Sequence, residues 1–252
     1  MPNKLLSTFL FLLILISCSE TKNFSKVETS EYVLKDTVSL PEDSIIAAHI
    51  RPFAEKMESD LGIILVQSSA VLEKGVPESL LGNFVSDLCF HRIQREYEPQ
   101  DGLLADFAFF NNGGLRKPLP QGKITKRDVY ELMPFENELV ILTLDGRIVK
   151  KLLNFIASMG GAPVSGLRFV IKDKEAIDII IGGSTFDSTR TYKVVTSDYL
   201  ANGGDNYSFL SESILRESTS IKIRDAIIQH LYIMGKTEEI VQVSLDGRIR
   251  NE

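Results

Sequence analysis

Ala105-Asp-Phe-Ala-Phe-Phe-Asn-Asn-Gly-Gly-Leu-Arg116 divides into two halves of opposite character. The first half is short, apolar and aromatic, which is the pattern of a buried strand. The second half forces a turn: a glycine pair admits positive φ and lets a ligand come close to the main chain, and asparagine tolerates the left-handed region while offering both a donor and an acceptor. Arg116 then brings a planar cationic fork to the mouth of the turn, suited to a phosphate, a carboxylate or ribose oxygens. A plain strand-to-loop turn with a solvated arginine has the same spacing. A strand that ends in such a turn places functional groups at one end of a sheet, and the rest of the chain is read outward from it.

On both sides, strand-like and helix-like segments alternate. Upstream, Gly62-Ile-Ile-Leu-Val66 reads as a strand and 78–97 as an amphipathic helix with Leu81, Val85, Leu88 and Ile93 inward. Before them, Asp43 is placed to cap a helix whose apolar positions Ile46, Ile50, Phe53 and Met57 keep the helical period, and Pro52 is expected to kink it or start a second one. Downstream, Thr125 is an N-cap candidate for a short helix to Leu132, 139–143 is a strand, and Gly146 opens a helix that stops at Gly160-Gly161. Three strands follow at 167–171, 176–181 and 192–196, the first two as a hairpin, then a helix over 221–234 and a last strand over 241–245. Hairpins mixed with helical crossovers predict an α/β (α+β) domain with a mixed β-sheet flanked by helices.

Separate motifs in a fixed order carry a resemblance. Asn111-Asn-Gly-Gly-Leu-Arg116, Gly122-Lys-Ile-Thr125, Asp128-Val-Tyr130, Pro134-Phe-Glu-Asn137 and Asn202-Gly-Gly-Asp-Asn-Tyr207 together resemble the C-terminal, substrate-binding domain of the 5'-nucleotidase family, from about Asp43 to the end. The resemblance implies that Phe135 and Tyr199 stack on a base, with Tyr where the family usually has Phe. It further implies that Asn137 reads the base edge, that Asp205 holds the sugar, that Asn111 and Arg116 line the site, and that the Gly161 amide lies close to the base. The residues alone leave other readings open: both rings packed in the core, Asx-turns at Asn137 and Asp205, and a helix stop at Gly161. The family also places additional arginines just before the helix expected at Glu78. This chain has Leu72-Glu-Lys-Gly-Val-Pro77 there, with Lys74 as a partial substitute.

The N-terminus reads as a targeting segment. Lys4 precedes an apolar run, Leu5 to Ile16, of leader length, and Leu15-Ile-Ser-Cys18 resembles the lipobox of bacterial lipoproteins, in which the cysteine is lipidated. The expected organisation is a leader over 1–17, a polar tether over 18–41 with a brief edge strand at Tyr32-Val-Leu34, and the 5'-nucleotidase-like domain over 42–252. The protein is thus expected to be exported and held on a membrane by its acyl chain, facing the periplasm or the cell exterior. Cys89, the other cysteine, falls in an apolar-periodic stretch and reads as a small core residue.

The chain has 252 residues, 44% hydrophobic and 25% charged, with a formal charge of −6 and a pI near 5.3. That suffices for one sizeable core and argues against general DNA or RNA binding, which needs a basic face. Full-length members of the family carry a metallophosphatase domain whose histidines and aspartates hold two metal ions. Here His49, His91 and His230 sit at no metal-ligand spacing, and no P-loop or Ser-His-Asp arrangement offers another mechanism. The expectation is a chain inactive alone that binds no cofactor itself. It would supply nucleoside or nucleotide recognition to a separately encoded metallophosphatase carrying a divalent metal pair. The alternatives are a free-standing nucleotide- or nucleoside-binding lipoprotein and a structural module.

Overall fold

The computed structural model describes residues 28–31 and 42–252. The chain forms two compact units, Met1–Ala47 and Ala48–Glu252; the expected leader, Cys18, most of the tether and the strand at 32–34 lie outside the described residues.

Five strands make the central sheet of the second unit, in the order β10 (Leu215–Lys222), β4 (Glu138–Asp145), β9 (Thr191–Ser197), β2 (Phe107–Phe109), β5 (Val164–Ser165). β2 and β9 run parallel, and the remaining pairs are antiparallel, so the sheet is mixed. Both faces are buried, and the period-2 alternation assigns each side chain to one of two cores. Phe107, Phe109, Val140, Leu142, Leu144, Tyr192 and Val194 point to one. Ala108, Phe110, Leu139, Ile141 and Val195 point to the other.

Over the first face lies α4 (Gly146–Ser158), which also packs on β7 (Glu175–Ile181) of an outer sheet ordered β12 (Ile249–Asn251), β6 (Leu167–Lys172), β7, β8 (Ser184–Thr185). Asp145 starts this helix by accepting from the Ile148 amide at 2.9 Å, and Ile148, Leu152, Leu153 and Ile156 form its buried stripe. Over the second face lie α2 (Leu80–Glu96) and α6 (Ile223–Lys236). Beyond α6 a three-stranded sheet runs in the order β11 (Ile240–Val241), β1 (Ile64–Ser68), β3 (Gly122–Thr125). Cys89 on α2 is fully buried, and burial pushes its thiol up to about 12.

The structure departs from the sequence reading at three places. Ser44–Leu61 is one helix, α1, with Pro52 inside it, so Pro52 does not start a second helix, and Asp43 caps α1 through the Ile45 and Ile46 amides at 2.9 and 3.2 Å. Its periodic residues Ile46, Ile50, Phe53 and Met57 are all exposed. The last strand does not run through 241–245: β11 pairs with β1 for two residues only, and the chain then crosses to the outer sheet, where β12 joins β6. β10 was not expected, because Leu-Arg-Glu-Ser-Thr-Ser-Ile-Lys has no apolar alternation; as an edge strand it buries one residue, Glu217.

Candidate functional site

Three loops meet at one end of the central sheet. The first follows β2, where Asn111 leads into a single 3-10 turn, Asn112–Gly114. Its main chain is held from two sides. The Arg116 amide donates to Leu132 O at 2.8 Å, and the Lys74 ammonium donates to Leu115 O at 2.8 Å and to Asn112 O at 3.3 Å. The Asn112 side chain donates to Gly75 O at 3.3 Å. Lys74 is therefore a strap on the turn, with two of its three ammonium donors directed to carbonyl oxygens, and it is not among the residues that line the cleft these loops enclose.

The second loop links α3 (Lys126–Leu132) to β4. A capping box between Thr125 and Asp128 fixes the start of α3, and the loop carries Phe135 and Asn137. Arg224, at the start of α6, holds the loop. Its guanidinium donates to Phe135 O at 3.3 Å and Met133 O at 3.5 Å, pairs with Glu136 and lies 4.5 Å from the Tyr130 ring centroid. Lys222 also pairs with Glu136, and the Ile223 amide donates to Asn137 O at 3.0 Å. Sequence reasoning missed Arg224, since nothing in its neighbourhood shows which carbonyls a helix-start arginine will reach.

The third loop follows β9. Ser197 caps the one-turn helix α5 (Asp198–Ala201), and Asp198 accepts from the amides of Tyr199 at 2.8 Å and Glu138 at 3.1 Å, joining this loop to β4. Gly203 takes φ 90°, and Asp205 and Asn206 are left-handed at φ 50° and 68°. Two successive non-glycine residues in that region are uncommon and mark a constrained turn. Its product is a fixed carboxylate: Asp205 Oδ1 accepts from the Tyr199 hydroxyl at 2.8 Å and Oδ2 from the Asn111 side-chain amide at 2.6 Å. The hydrogen bond to Asp205 raises the Tyr199 phenol above its ordinary value. Beneath, Tyr207 packs against Phe109 and Phe155, and burial raises its phenol too.

Asn111, Gly113, Gly114, Arg116, Phe135, Asn137, Tyr199 and Asp205 line one cavity of about 310 Å³, within the range of small-ligand sites. Phe135 and Tyr199 are 41% and 44% exposed, so their rings are open for stacking rather than packed in the core. Arg116 is the cleft's cation, 6.0 Å from the Phe135 ring centroid and donating to Gly113 O at 3.4 Å. Six of the seven expected binding residues are thus together. Gly161 is not among them: its amide donates to Ile156 O at 3.0 Å as a helix stop, and an added Cβ would lie 2.2 Å from Pro77 O. It is needed for close packing against the 76–77 segment, which corrects the expectation of an amide presented to a base.

A larger depression of about 450 Å³ lies between α2, α6 and the 241–248 segment, lined in part by His91, Arg95 and His230. Arg248 at its edge is committed to Asp87 and Asp246. His49 is on α1 and lines neither cavity. Among the described residues, no three His, Cys, Asp or Glu side chains are grouped as a metal ion would require, and no helix is long and apolar enough to cross a membrane.

Residues 58–212 match the family described as 5'-nucleotidase, C-terminal domain. The chain is 29% identical over 183 residues to a 5'-nucleotidase of Vibrio cholerae, covering 70% of this chain and 32% of that protein. It is 30% identical over 183 residues to protein UshA of Escherichia coli, covering 71% and 32%. The chain therefore spans about a third of the length of these curated relatives. Among solved structures it resembles a 5'-nucleotidase precursor from Thermus thermophilus, with a TM-score of 0.65 and 26% identity over 84% of this chain and 44% of that one.

Proposed function

This chain belongs to the 5'-nucleotidase C-terminal domain family, and on that premise we propose that its cleft binds the nucleoside part of a nucleotide. The base lies between Phe135 and Tyr199, Asn137 meets its edge, the sugar hydroxyls donate to Asp205, and Arg116 stands beside the sugar and phosphate. The observation that carries this reading is the convergence of two half-exposed rings on one fixed carboxylate in a cavity of ligand size. Stacking rewards any flat base, and the carboxylate supplies acceptors for sugar hydroxyls.

In this proposal the chain is the recognition half of a split enzyme of nucleotide catabolism. Phosphoester hydrolysis needs metal ions that activate water, and the described residues do not fit such a centre. A metallophosphatase on another polypeptide would supply it, and a lipid on Cys18 would hold the exported domain at a membrane surface. A second reading, a free-standing nucleoside-binding lipoprotein, is favoured by one observation: Lys74 is committed to the turn, which leaves Arg116 as the cation lining the cleft.

The test is phosphate release from AMP with divalent metal, measured on this protein alone and with a metallophosphatase domain added. Turnover that needs both chains and falls on Asp205→Ala supports the split enzyme. Binding without turnover in either mixture supports the second reading. Turnover by this chain alone, lost on mutating its own histidines, contradicts both.

A further inference from the structure

The Asp205 carboxylate is held from both sides by protein donors. The Tyr199 hydroxyl donates to Oδ1 at 2.8 Å and the Asn111 amide to Oδ2 at 2.6 Å. Held at one oxygen only, a carboxylate can turn about its Cβ–Cγ bond; held at both, its plane is set. An ionised carboxylate has about four acceptor positions. Two are taken here, which leaves one open on each oxygen.

The donor on Oδ1 is itself fixed. The Tyr199 ring lies directly over Gly204, where an added Cβ would be 2.4 Å from the ring, and the Tyr199 amide is held by Asp198 Oδ1 at 2.8 Å. Asp205 has little freedom at its backbone either, at φ 50° and ψ 34° with Asn206 left-handed after it. The hydroxyl thus joins two constrained groups across one hydrogen bond that faces the cavity.

We propose that the Tyr199 hydroxyl is a positioning group that fixes Asp205 for two adjacent sugar hydroxyls, making the cleft selective for ligands with a free vicinal diol. This rests on the nucleoside-binding reading above. The two open acceptor positions, one per oxygen, match two neighbouring O–H donors. A sugar lacking one of them leaves one of these fixed acceptors without its ligand donor. With phenylalanine at this position the stacking face remains and the carboxylate is hinged at Asn111 alone.

The experiment is calorimetric titration of the wild-type protein and Tyr199→Phe with adenosine, 2'-deoxyadenosine and 3'-deoxyadenosine, with melting temperatures in parallel. The wild type should favour adenosine over each deoxy form by about tenfold or more, as expected where a sugar hydroxyl meets a fixed partner. Tyr199→Phe should melt like the wild type, still bind all three, and keep less than about a threefold preference. A preference unchanged in Tyr199→Phe overturns the proposal. Equal wild-type binding of all three overturns it while leaving the nucleoside reading intact, and no wild-type binding of any of them overturns both.

Discussion

Tyr199 and Phe135 are large rings that the fold leaves half exposed on loops, while Tyr207, a few residues from Tyr199, is wholly buried. The difference lies in the turn. Left-handed Asp205 and Asn206 bend the chain so that Tyr207 enters the core under β2 and Tyr199 stays at the rim above Gly204. The hydrogen bond that Tyr199 donates to Asp205 favours the neutral phenol, and ionising it would also set two negative charges together, so the phenol is raised from 10.0. The sign follows from linkage. A raised folded value gives stabilisation that is complete below the ordinary tyrosine range and is lost as pH rises through the folded value. A spectrophotometric titration should therefore show Tyr199 among the tyrosines that ionise above the ordinary range, with Tyr97 and Tyr207, and Asp205→Asn should return one of them toward it, a change that is absent when Tyr199 is already replaced by Phe. At this scale the sequence was legible where residue type and turn position coincide, as at Asn111, Phe135, Asn137 and Asp205. It was not legible at Lys74, whose ammonium meets carbonyls some forty positions on, because no pattern in a sequence says which main-chain oxygen a flexible side chain will find.

The loop from α3 to β4 carries both Phe135 and Asn137, and it is shaped by an element far away in sequence. Arg224 offers its planar fork to two carbonyls and Glu136 at once, which a lysine cannot reproduce. Arg224→Met should keep the fold, leave the carbonyls of Met133 and Phe135 short of a donor, and weaken adenosine binding by about tenfold, the scale of one lost buried hydrogen-bonding interaction. Arg224→Lys should recover little of it. Calorimetry beside thermal melting checks this: a large loss of melting temperature with unchanged affinity would assign Arg224 to the core alone. Element by element, strong periodicity gave α2, α4 and α6 and the apolar strands β2, β4, β6, β7 and β9 to within a few residues. The weak elements had no such signal. β10 is polar because one of its faces meets solvent, and β11 and β12 are too short for any alternation to register. α1 shows the converse, an apolar period that is present although no residue of the helix is buried.

The whole molecule depends on a central sheet closed on both faces, and one ion pair lies within it. Lys193 on β9 and Glu217 on β10 are 4% and 2% exposed; their charged groups are 3.2 Å apart. Burial alone would lower the lysine's pKa, but hydrogen bonds to Asp101 and Glu217 outweigh it and the net shift is upward. Glu217 also accepts from the Gln100 amide at 2.9 Å and the Tyr97 hydroxyl at 3.3 Å, so it fixes the segment that leads from α2 into β2. Removing Glu217 leaves Lys193 paired with Asp101 but takes away the acceptor of the Gln100 amide and the Tyr97 hydroxyl. Glu217→Ala should lower unfolding stability by about 1–3 kcal/mol in a denaturant titration, the usual cost of leaving a buried donor unpaired, and Glu217→Gln, which retains an acceptor, by less. A change near zero would mean that Asp101 and water take over these donors.

The central claim, that the cleft between Phe135 and Tyr199 is a nucleoside site, is tested most directly by titrating adenosine into the protein by calorimetry, with Phe135→Ala in parallel. The wild type should bind one adenosine per chain, and Phe135→Ala should lose about 1–3 kcal/mol of binding, the usual stacking contribution of a ring to a base, with its melting temperature nearly unchanged. Absence of binding by the wild type, or equal affinity in Phe135→Ala, would contradict it.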